Sequence, residues 1–400
     1  MHCNRRTFFM AASGLALAAR GRAAAQGAGD RIRIGVIGTG GRARGLMTHL
    51  AKLPGNELVA LCDVYEPRLL QAAEIAGPTA ARVSDYRRIL DDREIDAVVI
   101  GAPDHWHKTM TLDAVAAGKD VYVEKPVSHT IAEGAEMVRV VEASKQIVQT
   151  GTQQRSWDHW VLGKQIIDSG RLGQITFVQT YWYQHATAGT YPEVSMDGLD
   201  WKRWLGPAPD QPFRPERFFQ WRHFWDFGGG GVTDLMTHWI DVVHWYMDVD
   251  APLSAAATGR NYNIIKLWEA PDTVSATMEF PSFMAAYLGT YVSRVDDGGL
   301  EFRGERGTLK IDRARLAFYR DTAPYAPGSN TPEPEISIRS SGDGTVTHLQ
   351  NWLDCIRSRK VPNAHIRVAH ESARTSHIVN AALRSGNPVR WNRAAEKIEN

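Results

Sequence analysis

The chain predicts an α/β protein with two domains: an N-terminal, doubly wound parallel sheet and a C-terminal α/β domain built on a large, mostly antiparallel open sheet. Three observations carry this reading. Residues 31–126 alternate apolar strand runs with helical patterns, the signature of parallel strands joined by crossover helices. A glycine turn sits at the first strand-to-helix junction. Beyond Gln154 the apolar residues recur with period two, as expected of strands with one covered face. The expected divisions are 1–30, a leader and linker; 31–150, the parallel-sheet domain; and 151–400, the second domain.

The first strand run, IRIGVIG, ends at Gly38. Gly40, Gly41, Arg42 and Ala43 follow as a helical pattern opens. Asp63 closes the next strand run, 20 positions past Ala43. This order suits a dinucleotide. Gly38 permits the tight turn, Gly40 lets backbone N–H groups reach a pyrophosphate, and Ala43 allows close helix–strand packing. The helix N-terminus then faces the phosphates and Asp63 the ribose diol. The plainer alternative is a tight glycine turn in an ordinary α/β unit. The runs ELVALCD, DAVVIGAP and DVYVEKP continue the sheet. Thr130-Ile131-Ala132-Glu133 fits a capping box that opens a helix to about Ser144. IVQTGTQQR reads as one more strand and a turn.

Aromatic residues become dense after Gln154, with Trp157, Trp160, Trp182, Tyr183, Trp201, Trp204, Trp221 and Trp225. ITFVQTYWY, DTVSATMEF, FMAAYLGTYV, GTLKID and RLAFYRD alternate apolar with polar residues and read as strands. The segment 322–343, rich in Pro, Ser and Gly, reads as a surface loop. Helices are expected near 343–358 and 367–385.

The 400 residues are enough for two or three domains. The first 25 residues hold Arg5, Arg6, Arg20 and Arg22 and no acid. Without those arginines, 42 basic residues face 45 acidic ones, a net of −3. No basic tract remains, which argues against nucleic acid or an anionic membrane as a partner. Asn4-Arg5-Arg6-Thr7-Phe8-Phe9 resembles the twin-arginine (Tat) export motif. The apolar run Phe8–Ala19 is too short to span a bilayer, and Ala23-Ala24-Ala25 offers a cleavage site near Ala25. A periplasmic protein handled by the Tat machinery is expected, with no membrane span. The plainer alternative is a disordered basic tail. The mature chain would keep only Cys62 and Cys355, which read as buried free thiols. Because Tat export carries proteins already folded, a cofactor would load in the cytoplasm and travel with the chain.

The C-terminal ends of strands in an open α/β sheet are where ligands bind, and the run Val121–Pro126 puts Glu124 and Lys125 there. Pro126 is the residue type at which a cis bond is expected, since cis bonds are nearly confined to proline. Asp234 and His238 stand four apart in a helical pattern and so share a face. Gly228–Gly231 precede them and would let a ligand approach the backbone. Histidine suits removal of a hydroxyl proton near neutral pH. Lys125 can stabilise the developing alkoxide, and Asp234 can orient Lys125 or a substrate hydroxyl. The plainer alternatives are a strand-end lysine, an acid favouring a helix N-terminus and a satisfied core histidine. Asp241 and His244 continue the stripe, but there is no H-E-x-x-H pattern or second ligand cluster, so no metal is expected.

Residues 31–392 resemble the Gfo/Idh/MocA oxidoreductases. The resemblance rests on GTGGRA, on Ala102-Pro103-Asp104-His105-Trp106-His107, on Ala117-Gly118-Lys119 running into Glu124-Lys125-Pro126, and on Gly228–Gly231 followed by Asp234-x-x-x-His238. It implies a Rossmann domain followed by an α/β domain with a large open sheet. It also implies that Lys125, Asp234 and His238 form the catalytic group, and that Pro103, His107, Glu124 and Lys125 join the glycine turn around the cofactor. His107 would sit in the crevice near nicotinamide or substrate. Gln154 and Arg155, after a strand, could bond substrate hydroxyls. Trp182, Tyr183 and the Trp221–Trp225 cluster could stack on sugar faces, although aromatics at such spacing are more often core.

Asp63 favours NAD, because its charge repels a 2′-phosphate. Arg42, Arg44 and Arg68 keep NADP open. The leading expectation is NAD(P)-dependent oxidation of a secondary hydroxyl of a sugar, glycoside or cyclitol. The alternative is an NAD-dependent glycoside hydrolase that oxidises its sugar transiently, eliminates the aglycone and restores its bound cofactor each turn. A third reading, a sugar-binding protein with a vestigial nucleotide fold, conflicts with intact Lys125, Asp234 and His238. A homo-oligomer, dimer or tetramer, is expected.

Overall fold

The computed structural model describes residues 31–186, 191–264, 267–321 and 332–399. The leader, with Arg5, Arg6 and Ala25, lies outside the described residues. The first sheet holds β1 (Ile32–Ile37), β2 (Asn56–Cys62), β3 (Ala81–Val83), β4 (Ala97–Ile100), β5 (Asp120–Val123) and β6 (Val148–Thr150). All pairs are parallel, in the order β3-β2-β1-β4-β5-β6. Helices α1 (Gly41–Leu50), α2 (Glu66–Ala76), α3 (Arg87–Asp91), α4 (Asp104–Ala116) and α5 (Ile131–Glu142) connect them. Helices cover both faces of the central strands, and every residue of β4 and β5 is buried. The capping box is formed: Glu133 N–H donates to Thr130 Oγ1 at 3.2 Å, and Thr130 N–H donates to Glu133 Oε2 at 3.1 Å.

Strand order reverses between β1 and β4, and a crevice opens there at the strand C-termini. Gly38 has φ +78°. A Cβ on it would lie 2.7 Å from the Ala102 nitrogen. The crossing of the two loops therefore requires glycine for both conformation and space.

The second unit follows α6 (Asp158–Asp168). Its strands are β7 (Ile175–Tyr183), β8 (Ser254–Arg260), β9 (Thr273–Glu279), β10 (Met284–Thr290), β11 (Gly298–Gly304), β12 (Gly307–Asp312), β13 (Arg315–Arg320), β14 (Ile336–Arg339), β15 (Val389–Asn392) and β16 (Lys397–Glu399). They form one ten-stranded sheet, β14-β13-β12-β11-β7-β10-β9-β8-β15-β16. Only β7–β10 is a parallel pair. One face carries Val178, Met278, Ala285, Tyr287 and Phe302, fully buried beneath helices α9 (Thr237–Met247) and α11 (Ile366–Ser385). The other face leaves Met284 and Leu288 exposed. The expectation of a loop over 322–343 is corrected in part: Ile336–Arg339 pairs antiparallel with β13. Residues 322–331 lie outside the described residues.

Two features cross between the units. Helix α10 (Gly344–Ser358) returns to the parallel sheet, where Leu349, Trp352 and Leu353 bury completely against Ile34, Val36 and Leu46. A second feature, spanning residues 191–227, includes the short helices α7 (Trp201–Leu205) and α8 (Pro215–Phe219) and lies over the crevice. Leu199, Trp204, Phe218 and Phe227 join Tyr65 in one apolar cluster. Trp106 Nε1 donates to the Trp204 carbonyl at 2.8 Å, and Asp200 N–H donates to the Val64 carbonyl at 2.9 Å. An isolated bridge joins Tyr65 to Leu199.

Candidate active site

The crevice divides into two connected clefts. The first, of about 1040 Å³, runs along Gly38, Gly40, Gly41, Asp63 and Pro103 and is roofed by Trp204, Phe219 and Trp221. A Cβ at Gly40 or Gly41 would meet no atom within 4 Å. Space is thus kept open beside the first amides of α1, where an anion is favoured. Asp63 accepts from Thr39 N–H at 2.7 Å and Tyr65 N–H at 2.9 Å, which holds its carboxylate at the cleft wall. The residues present fit a dinucleotide.

Arg42 lies where the two clefts join and pairs with buried Glu124 at 2.7 Å. Burial alone would raise the Glu124 pKa, but Arg42 and Lys125 outweigh it and hold the carboxyl ionised. Arg44 donates to the Thr39 carbonyl at 2.7 Å, and Arg68 lies over the Phe218 ring at 4.4 Å. Arg68 and Arg203 both reach the wall beside Asp63. Cys62 also reaches this wall; burial and Asp63 push its thiol up to about 12, so it is an inert neutral group.

The second cleft, of about 1270 Å³, brings together Lys125, Asp234 and His238. Lys125 follows β5, and its bond to Pro126 is cis. Its Nζ donates to Asp234 Oδ1 at 2.5 Å and to the Asp234 carbonyl at 2.7 Å. Arg222 Nε reaches the same Oδ1 at 3.1 Å. Burial opposes the charge on Asp234, yet Lys125 and Arg222 hold its carboxyl far below the usual range. Val232–Met236 winds as a π-helical turn that passes directly into α9. Such turns recur at functional sites; here the wider turn carries Asp234 and the α-helix carries His238.

His238 is only 5 % exposed, and its Nδ1 is buried without a partner. Its ring stacks on Trp182, with centroids 5.6 Å apart. Burial, then Lys125 and Arg313, push its pKa well below the usual histidine value. The ring is neutral near pH 7 and ready to accept a proton.

Several expected contacts are corrected. Tyr183 is the neighbour of Trp182 on β7, so it points to the opposite face of the sheet and lines a separate surface groove. Arg155 is committed to Asp241 at 2.9 Å and does not line the cleft. Gln154 is fully buried away from it; the 3₁₀ turn Gln153–Ser156 presents Gln153 instead. His107 lines the cleft, but its ring nitrogens face the carbonyls of Pro126 at 2.7 Å and Ala102 at 2.9 Å. Both nitrogens are turned to backbone carbonyls, and the neutral ring, with a single N–H, donates to one of them. Gly228–Gly231 serve chain packing, not ligand approach. A Cβ at Gly230 would lie 2.5 Å from the Ala270 side chain, and one at Gly229 2.5 Å from that of Thr233. Asp241 and His244 bond Ser372 and Thr375 on α11.

Arg222, His223, Trp268, Tyr291 and Arg313 also line the cleft and escaped sequence reasoning. His223 stacks on Trp268 with centroids 3.5 Å apart, and the Tyr291 hydroxyl is buried without a partner. Arg222 and His223 carried a local signal, their place inside the aromatic run Trp221–Trp225 before Gly228.

Comparison with known proteins supplies a consistent frame. Residues 32–152 match the model of the oxidoreductase family with an NAD-binding Rossmann fold, and residues 160–310 match the GFO/IDH/MocA C-terminal domain. Inositol 2-dehydrogenase 1 of Saccharopolyspora erythraea is 32 % identical over 333 residues, covering 81 % of this chain and 85 % of that protein. A glycosyl hydrolase family 109 protein of Solibacter usitatus is 34 % identical over 125 residues, 29 % of this chain and 28 % of its own. Among solved structures, a levoglucosan dehydrogenase in complex with NADH and levoglucosan superposes with a TM-score of 0.71 at 18 % identity, covering 90 % of this chain and 99 % of that one. At that identity the likeness concerns the fold.

Proposed function

The chain belongs to the Gfo/Idh/MocA oxidoreductase family, and from that premise we propose that it oxidises a secondary hydroxyl of a sugar, glycoside or cyclitol with NAD. One observation carries the reading: a neutral, buried histidine and a fixed Lys125–Asp234 pair share a cleft that opens onto the dinucleotide crevice. Gly40, Gly41 and Asp63 would hold NAD, which when bound supplies the hydride acceptor. His238 accepts the hydroxyl proton. Lys125 donates to the same oxygen and stabilises its negative charge as it grows. Asp234, kept ionised by two cations, fixes the position of Nζ. The product is a ketone. The test is absorbance of reduced nicotinamide on mixing holoprotein with a panel of polyols and glycosides. No reduction with any of them would sink the reading.

A second reading, glycoside cleavage with a retained cofactor, is favoured by two observations. A stretch of 125 residues is 34 % identical to a family 109 glycosyl hydrolase protein, and residues 191–227 are fastened over the crevice. Aglycone release without net nicotinamide reduction distinguishes it.

Export by the Tat machinery to the periplasm, with cleavage near Ala25, is the reading that Arg5, Arg6 and the short apolar run support. Replacing both arginines by lysine should leave the protein in the cytoplasm; unchanged periplasmic recovery would refute it. The uncovered face of the large sheet, which leaves Met284 and Leu288 exposed, supports a homo-oligomer, dimer or tetramer. Light scattering showing a monomer at working concentration would exclude it.

A further inference from the structure

Four cations reach the substrate cleft, and three are answered there. Arg42 pairs with Glu124, and Lys125 and Arg222 share Asp234. Arg313 is the exception. It stands in the two-residue turn between β12 and β13, and among the described residues its guanidinium makes no ion pair or hydrogen bond; Nε is buried without a partner. Its own neighbour Asp312 is spent on the turn, accepting from Ala314 N–H at 2.7 Å and Arg315 N–H at 2.8 Å. Asp297, exposed on the preceding loop, acts on it only through space.

The guanidinium is nonetheless held in place. Its carbon lies 4.5 Å from the Trp182 ring centroid, and the same ring stacks on His238 at 5.6 Å. One tryptophan thus carries the base and a fixed, unanswered cation. A stacked guanidinium offers its planar fork with little ordering left to do, which matches a carboxylate. Arg313 is absent from the walls of the nucleotide cleft, so the cofactor phosphates are not what it awaits.

We propose that the substrate carries a carboxylate, as a hexuronate or its glycoside does, and that Arg313 receives it at the Trp182 end of the cleft. A single unanswered positive charge suits a monoanion better than a phosphate dianion. The inference rests on the proposed hydroxyl oxidation for its biological sense but not for its test.

The test is binding to the holoprotein, followed by quenching of tryptophan fluorescence and by calorimetry. The probes are glucuronate, galacturonate and mannuronate, each beside its neutral uronamide and parent hexose, with glucose 6-phosphate as the dianion. At least one hexuronate should bind about 10- to 100-fold more tightly than its uronamide. Arg313→Gln should abolish that preference, while Arg313→Lys should keep part of it. Equal affinity for uronate and uronamide, no binding by any uronate, tighter binding of the phosphate, or a preference that survives Arg313→Gln would each overturn the proposal. Turnover is read separately. Arg313-dependent uronate binding without nicotinamide reduction would leave this site standing and remove the oxidation reading instead.

Discussion

His238 can accept a proton only while its ring is neutral, and three influences keep it so: burial first, then the charges of Lys125 and Arg313. The sign is therefore definite. A depressed pKa places the acidic limb of kcat/KM below the ordinary histidine value of about 6.5, leaving the rate flat from there towards pH 8. His238→Ala should lower turnover roughly 10²–10⁴-fold and remove that limb. Lys125→Met should also cut turnover, and by taking away a neighbouring cation it should move the His238 limb to higher pH. Because the two residues act as a unit, the double variant should be little worse than the worse single one. A normal rate and unchanged profile in His238→Ala would demote the residue to packing. Asp63 makes a different residue-scale claim. Asp63→Ala should weaken NAD by about 1.5–3 kcal/mol, the worth of hydrogen bonds to a charged group, and weaken NADP less. Equal losses in titrations with both nucleotides would place Asp63 outside the ribose site.

At the scale of elements, the segment over the crevice makes the strongest claim. Phe218 is fully buried in its cluster, against Tyr65 at 5.3 Å and beneath Arg68. Phe218→Ala should cost about 3–5 kcal/mol of stability and loosen the roof. Wild-type protein should keep NAD(H) through gel filtration, and the variant should lose it; equal retention would show that the roof does not govern release. Aromatic density announced this segment in the sequence, but not what it covers, because aromatic side chains do not name their partners. The glycine turn and the Thr130–Glu133 cap were legible, since each is specified by residues within one turn of chain. Strand β8 was not. Its sequence, SAAATGR, has little side-chain preference for a sheet, and its place comes from full pairing with β9 and a shorter pairing with β15. The same limit explains Gln154 and Arg155: a residue after a strand is near the cleft, but the 3₁₀ turn decides which one enters it.

The two units do not fold as beads on a string. The parallel sheet ends its own chain at β6, yet one of its helical faces is completed from nearly 200 residues later, when α10 lays Leu349, Trp352 and Leu353 on Ile34, Val36 and Leu46. Helix α11 then bridges the cores: Ile366, Ala369 and Ala373 face the parallel sheet, whereas Ile378, Val379 and Ala382 face the antiparallel one. His348 adds a polar tie, reaching the Thr150 carbonyl at 2.8 Å and Ser156 Oγ at 2.7 Å. Residues 31–152 contain the whole nucleotide-binding motif, but alone they would expose the apolar patch that α10 covers. Each fully buried Leu or Trp lost from such a core is worth about 2–5 kcal/mol, comparable in sum with the stability of an average domain. The isolated fragment 31–152 should therefore aggregate or bind hydrophobic dyes, while addition of α10 in trans, or its fusion by a flexible linker, should restore a cooperative unfolding transition. A fragment 31–152 that is monomeric and melts cooperatively by calorimetry would show that the parallel sheet is self-sufficient and that α10 only decorates it.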